Sequence, residues 1–392
     1  MNSMPTRLAS IDVFRAITML LMIFVNDLWT LKGIPEWLEH TAAREDGMGL
    51  ADTVFPAFLF IVGLSIPFAI LNRKAKSASQ GGVLMYILAR SAALLIMGLF
   101  HVNLENYSAA AILPRPVFQI LITVGFFLIW LDYPKTMKRN ARLGLQALGV
   151  LILLSMAAIY KGDDGGWMKT HWWGILGLIG WAYLLCAGVF LFSGGNLFII
   201  GGAFIFFFLF NIASQAGWLD FLNGIKRYVW IVGDGSMPGL TMGGVFTGML
   251  YRYLGEKGKS KSYFGWIALL SAAMLVIGFA LRPYFIISKI LATPSWVAIN
   301  IGISLFVFLL LVWLVDVNNR RAWFTIIRPA GTSTLTCYLL PYIHYAIYSM
   351  VGISLPLFLR TGGIGIVKCL LYALAIIILT GLLERVRIRL KI

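Results

Sequence analysis

The chain has 392 residues, of which 60% are hydrophobic and 12% charged, against about 45–50% and about 25% in a soluble domain. That apolar excess excludes a water-soluble globule and makes the bilayer the solvent for most of the surface. The net charge of +16 is topogenic rather than a sign of nucleic-acid binding, because Lys and Arg cluster in short connections between apolar runs.

Apolar runs of about 18–22 residues, enough to cross about 30 Å of hydrocarbon as helix, recur along the chain. They lie near 11–31, 52–72, 84–103, 116–132, 143–160, 172–193, 196–214, 236–254, 263–281, 295–315, 332–351 and 363–383. The runs are continuous rather than alternating, and open sheet edges cannot sit in lipid, so strands are excluded. The pattern predicts an all-α polytopic transmembrane helical bundle of about 12 spans (10–12), forming a single domain over 1–392. No small-residue cleavage site follows the first run, which reads as a retained span.

The connections orient the bundle. Even-numbered connections and the two chain ends carry twenty Lys and Arg, among them Arg73, Lys74, Lys138, Arg139, Arg320, Arg321, Arg385 and Arg389. Odd-numbered connections carry ten, among them Arg44, Lys169, Arg282 and Lys289, while Arg90 and Lys368 fall within spans. The positive-inside rule then puts both termini in the cytoplasm. The connection 32–51 lies outside, and 215–235 is a candidate for a short amphipathic interfacial helix.

Polar residues in or against spans are costly and so are functional suspects. Asp12 and Arg15 share a helical face and can simply pair. Asn26 and Asp27 end the first span, one connection before His40. Asp52 opens the second span, where a helix cap is as good a reading as a site role. Gln119 in the fourth span suits an interhelical hydrogen bond or a substrate contact. All four histidines, His40, His101, His171 and His344, fall on the outer side, and histidine is the usual proton-transfer residue near neutral pH. Cys186, Cys337 and Cys369 lie inside apolar runs as small buried hydrophobes, with no spacing that suggests disulfides or a metal site. No nucleotide-binding P-loop, GxSxG elbow or HExxH is present.

The segment RLASIDVFRAITMLLMIFVND, a connection containing WLEH, and GLADTVFPAFLFIVGLSIPFAI together resemble the heparan-α-glucosaminide N-acetyltransferase family of membrane acetyltransferases. The likeness is strongest to its bacterial branch, which lacks the large lumenal N-terminal region. AILPRPVFQILITVG, DGSMPGLTMGGVFTG and RPAGTSTLTCYLLP are weaker echoes, and 143–230 is the least similar stretch. The resemblance implies transfer of acetyl from cytoplasmic acetyl-CoA, as co-substrate, to the amine of a glucosamine-type sugar on the far side. It implies His40 as the catalytic histidine and Asn26 at the reaction centre, and it carries the expectation of a homodimer in a bacterial inner membrane.

The chemistry stands on its own. His40 can act as general base toward the amine, or can itself be acetylated and pass the group on. Asn26 can hydrogen-bond the oxyanion of the tetrahedral intermediate. Asp52, Gln119 and Trp37 are the candidate acceptor contacts, although Trp37, like Trp167, Trp172 and Trp173, also fits an interfacial aromatic belt. For the CoA phosphates the candidates are Arg15, Arg90, Arg252 and Arg328, each also explicable as a topogenic anchor. The rival readings are a secondary transporter or flippase, which would show polar residues at mid-membrane in two related halves, and an O-acetyltransferase of cell-envelope polysaccharide.

Overall fold

A computed structural model describes residues 8–76, 79–226, 232–257, 260–352 and 354–392. The helices in chain order are α1 (Ala9–Asp27), α2 (Ala51–Ala75), α3 (Gln80–Asn103), α4 (Arg115–Trp130), α5 (Arg139–Ile159), α6 (Ile175–Phe192), α7 (Leu197–Gln215), the single turn α8 (Asn223–Lys226), α9 (Ser236–Glu256), α10 (Ser260–Leu281), α11 (Pro294–Leu311), α12 (Arg328–Thr332), α13 (Thr334–Val351) and α14 (Gly362–Arg385). Among the described residues there is no β-strand, and the isolated bridges join connections only.

Each predicted apolar run falls on a long helix. Among the described residues nine of these are long and apolar enough to cross a membrane, and the chain is an integral membrane protein. α4 is apolar but has only 16 residues. α9 and α13 are long but more polar: α9 carries Thr241, Thr247 and Arg252, and α13 carries Thr336, His344 and Tyr345. The segment expected to form an interfacial helix holds the turns Asp220–Leu222 and α8; residues 227–231, with Arg227, lie outside the described residues, as do Arg7 and Lys259.

Lipid tails are as apolar as leucine, so helices in a membrane associate by close packing, which small residues permit. A Cβ at Gly63 of α2 would stand 1.8 Å from the Thr241 carbonyl oxygen of α9, and one at Gly244 of α9 2.0 Å from that of Phe60. α3 meets α6 in the same way, where a Cβ at Gly98 would stand 2.4 Å from the Gly177 nitrogen. α1, α2, α6 and α11 are the most buried spans, while α5, α7 and α10 are largely exposed. Leu151, Leu154, Phe206, Trp266 and Val276 of that rim are exposed, as a lipid-facing surface requires. The three cysteines are free and buried.

Two ties close the bundle at the end where α1 begins. Asp316 accepts from the Ala9 and Ser10 backbone N–H groups at 3.0 and 3.2 Å, satisfying donors that a helix start leaves orphaned. The segment after α14 lies along the end of α4: Arg389 donates to Asp132 at 2.8 and 3.0 Å, and the Leu390 N–H to Thr336 Oγ1 at 2.9 Å. Burial raises the pKa of Asp132, but hydrogen bonds from Arg389 and Lys391 outweigh it and hold the carboxyl below its usual range.

Candidate active site

α1 and α2 run antiparallel. Arg15 of α1 donates to Ser65 Oγ of α2 at 2.6 Å. From that contact α1 runs on to Asp27 and α2 runs back to Asp52, each by ~18–20 Å at 1.5 Å per residue. Both aspartates therefore stand at the same end, joined by the 28–50 connection that carries His40.

That connection is built onto Asp52. The carboxylate is 1% exposed; its Oδ2 accepts from the Thr41 and Gly49 backbone N–H groups at 3.0 and 3.1 Å, and its Oδ1 lies 2.6 Å from His40 Nδ1. Its bonds reach backward into the connection, so Asp52 does not cap its own helix. Gly49 lets the chain fold back this closely: a Cβ there would stand 2.0 Å from the Glu39 carbonyl oxygen. Pro56, four residues after Asp52 in α2, has no N–H and leaves the Asp52 carbonyl without its helical partner. The fully buried Trp296 of α11 supplies one through Nε1 at 3.2 Å.

A carboxylate only accepts, so His40 Nδ1 carries a hydrogen, and in the neutral ring it is Nε2 that keeps the lone pair. The His40 side chain is about half exposed, 48%, beside its buried partner. A base oriented by a buried carboxylate, with its second nitrogen open, is the arrangement that general-base and nucleophilic catalysis by histidine require.

A third charge joins this pair. Lys289, in the 282–293 connection between α10 and α11, places Nζ 3.8 Å from Asp52 Oδ1 and 3.2 Å from His40 Nδ1. Because Nδ1 already carries a hydrogen, the lysine is a charge neighbour of the carboxylate and not a donor to the ring. Burial draws the pKa of Lys289 below the ordinary lysine value, and Asp52 opposes that shift. In the sequence Lys289 stands out only as one of the charges of an odd-numbered connection. Its setting in FIISKILA, one cation among apolar residues outside any span, was the available signal.

The opposite half of the same helices encloses a cavity of about 360 Å³. On α1 its walls run from Arg15 to Met22 and on α2 from Ala69 to Phe58, stopping ~9 Å of helix rise short of Asp52. Arg15 and Arg90 both line it, although 75 residues separate them in sequence. Arg15 also donates to Asp12 and to the Gly331 carbonyl at 3.2 Å each, realising the expected i,i+3 pair. Arg90 donates to Tyr86 OH at 3.1 Å and sits 4.9 Å from the Tyr183 ring centroid, while its Nε is buried without a partner. The break between α12 and α13 supplies another wall, with Ser333, whose buried Oγ is also unpartnered, at the start of α13. A helix N-terminus adds unpaired N–H donors and positive potential.

The other candidates scatter. Asn26 is exposed in the last turn of α1, at the His40 end. Trp37 is 66% exposed in the turn before His40, and its carbonyl accepts from the Leu50 N–H. Gln119 donates to the Tyr342 carbonyl at 2.7 Å, an α4–α13 bond. Arg252 of α9 and the exposed Arg328 of α12 do not line the cavity. Among the described residues, no three His, Cys, Asp or Glu side chains converge as metal ligands do.

A family model described as a domain of unknown function, DUF5009, matches residues 7–207. The chain belongs to this family. DUF5009 is found in heparan-α-glucosaminide N-acetyltransferase-like proteins, and the matched stretch holds Arg15, Asn26, His40, Asp52 and Arg90 but ends within α7, before Lys289 and Trp296. The chain is 36% identical over 107 residues to human heparan-α-glucosaminide N-acetyltransferase and 35% identical over 107 residues to the mouse protein of that name. Each likeness covers 27% of this chain, which thus spans about 15% of the length of these curated relatives.

Proposed function

We propose that this DUF5009 chain is a transmembrane acetyltransferase that moves acetyl from acetyl-CoA on the cytoplasmic side to the amine of a glucosamine-type sugar on the outer side. The observation that carries the reading is the His40–Asp52 pair, 2.6 Å between Nδ1 and Oδ1 with Nε2 left open. The names of the human and mouse relatives agree with it. In this reading twelve spans cross the inner membrane of a bacterium with both termini in the cytoplasm. The Arg15 end is then cytoplasmic and the His40 end periplasmic, in keeping with the charge of the connections. The family expectation of a homodimer is kept with it.

Acetyl-CoA enters the cavity at its cytoplasmic mouth. Arg15, Arg90 and the start of α13 at Ser333 receive its phosphates and amides, because guanidinium groups and helix N-termini are the strongest phosphate partners available. The thioester extends along α1 toward Met22, one turn before Asn26. His40 Nε2 takes a proton from the acceptor amine as its nitrogen attacks the thioester carbonyl carbon. Asp52 holds the ring in the working tautomer and stabilises the imidazolium that forms. The Asn26 amide donates to the oxyanion, worth about 3 kcal/mol for one good donor. The C–S bond then breaks, and the thiolate sulfur takes the proton from Nε2.

The test is transfer from radiolabelled acetyl-CoA to glucosamine by the purified protein in detergent, with His40→Ala beside it. Transfer by the wild type, and its loss in a variant that still folds and binds CoA, is the expected result. Equal transfer by both would remove His40 from the chemistry; no transfer and no CoA binding by either would overturn the acetyltransferase reading.

A further inference from the structure

Lys289 is held in place by contacts that the residues before it make with the connection carrying His40. The Gly47 N–H donates to the Ile287 carbonyl at 3.0 Å, Ser288 Oγ to the Ala43 carbonyl at 2.8 Å, and Arg282 Nε to Asp46 at 2.9 Å. The 282–293 connection is thus laced to the 32–50 connection, and the Lys289 side chain is fixed against Asp52 at 25% exposure.

A simple ion pair does not account for this placement. Two backbone N–H groups and the His40 ring already satisfy the Asp52 carboxylate, so its charge does not depend on a lysine. Lys289 Nζ stands 3.2 Å from His40 Nδ1, so two nitrogens that both carry hydrogen face one another. When the ring is neutral the contact is tolerable. When the ring holds a second proton, two like charges meet in a half-buried site where solvent screens them poorly.

We propose that Lys289 is a positioning residue that keeps the His40 ring neutral and ready to accept a proton, and that drives the proton off once the ring has taken it. Asp52 pulls the other way by favouring the imidazolium, and the balance of the two sets the pH at which His40 becomes a base. Among the described residues these are the charged groups in direct contact with the ring. Glu39, Arg44 and Glu45 on its own connection are exposed, Asp46 is engaged by Arg282 and the Ile287 N–H, and α11 presents the neutral Trp296 and Asn300. The first half of the role belongs to the free protein; the second rests on the acyl-transfer reading.

The experiment uses the full chain in lipid nanodiscs as wild type, Lys289→Met, Lys289→Gln and Lys289→Arg. Diethyl pyrocarbonate modifies neutral imidazole, so the pH dependence of His40 labelling, read by mass spectrometry, reports the ring without any substrate. The Met and Gln variants are expected to move the acid limb of labelling up by about one pH unit, about tenfold slower labelling at a pH below the limb, while Arg restores the wild-type limb. kcat/KM for acetyl transfer to glucosamine should show the same displacement of its acid limb. An unmoved limb in Met or Gln, whatever the plateau, overturns the proposal and leaves Lys289 a structural tie. A moved labelling limb in a protein that transfers no acetyl upholds the first half and overturns the acyl-transfer reading instead.

Discussion

Two buried aspartates stand at the same end of α1 and α2, each with a lysine and an aromatic ring beside it, and the difference between them separates a strut from a reactive site. Asp27 accepts from Lys368 Nζ at 2.9 Å and from Tyr345 OH at 2.5 Å, and Lys368 also donates to Thr30 Oγ1 at 3.0 Å. Its partners come from α14 and α13, so the cluster ties three helices together at direct contact. At Asp52 the lysine is held off at 3.8 Å, and the short bond goes to a half-exposed histidine. Histidine is the side-chain type that changes charge near neutral pH, and here one of its nitrogens is left open. Contact closed on every side makes a strut; contact closed on one side only leaves something to react.

The largest effect expected from this contrast is on catalysis. Asp52→Asn keeps the shape of the carboxylate but can present an N–H to His40, which favours the wrong tautomer. Acetyl transfer should fall by about 10³-fold or more, with a melting temperature close to that of the wild type because the two backbone donors still find an oxygen. A variant that keeps more than a tenth of the rate would show that the pair is a strut as well.

Much of this arrangement is legible in the sequence. Continuous apolar runs declare spans through length alone, and polar residues stand out against them, which is why Asp52, Arg15 and Arg90 could be singled out, while the family resemblance pointed to His40 and Asn26. What joins them was not legible. The His40–Asp52 bond depends on a backbone fold-back at Gly49 that has no periodicity to read, and Asp52 looked equally like a helix cap. Trp296 answers a carbonyl freed by Pro56 from 244 residues away, and Lys289 reaches His40 across 249. Such pairings follow from which helices pack together, and that is set by glycine contacts such as Gly63 on Thr241, which look like any other small residue in an apolar run. Gln119 shows the same limit from the other side: a polar residue in a span, it is engaged by the Tyr342 carbonyl.

The second effect falls on stability. Asp27→Ala leaves the partly buried Lys368 ammonium without its carboxylate and should cost about 3 kcal/mol, seen as a lower melting temperature in detergent. The rate per folded molecule should change only a few-fold. A loss of rate as large as that of Asp52→Asn in a protein that remains folded would place Asp27 in the reaction and erase the distinction between the two clusters.

The smallest effect belongs to the far end of the bundle and tests whether the two ends share one reaction. Arg90 has an unpartnered buried Nε in the cavity wall and a neighbour, Tyr183, that offers only its ring face. If a phosphate or amide of acetyl-CoA fills that gap, Arg90→Gln loses one charge-assisted hydrogen bond, about 1.5 kcal/mol. KM for acetyl-CoA then rises about tenfold while kcat and its pH profile stay close to wild type, because His40 lies beyond the far end of the cavity. A topogenic anchor would behave otherwise: its loss would lower the yield of inserted protein and leave KM where it was. A changed pH profile in Arg90→Gln would mean that the charge at one end is felt at the other, and the separation of binding from proton transfer along α1 would have to be given up.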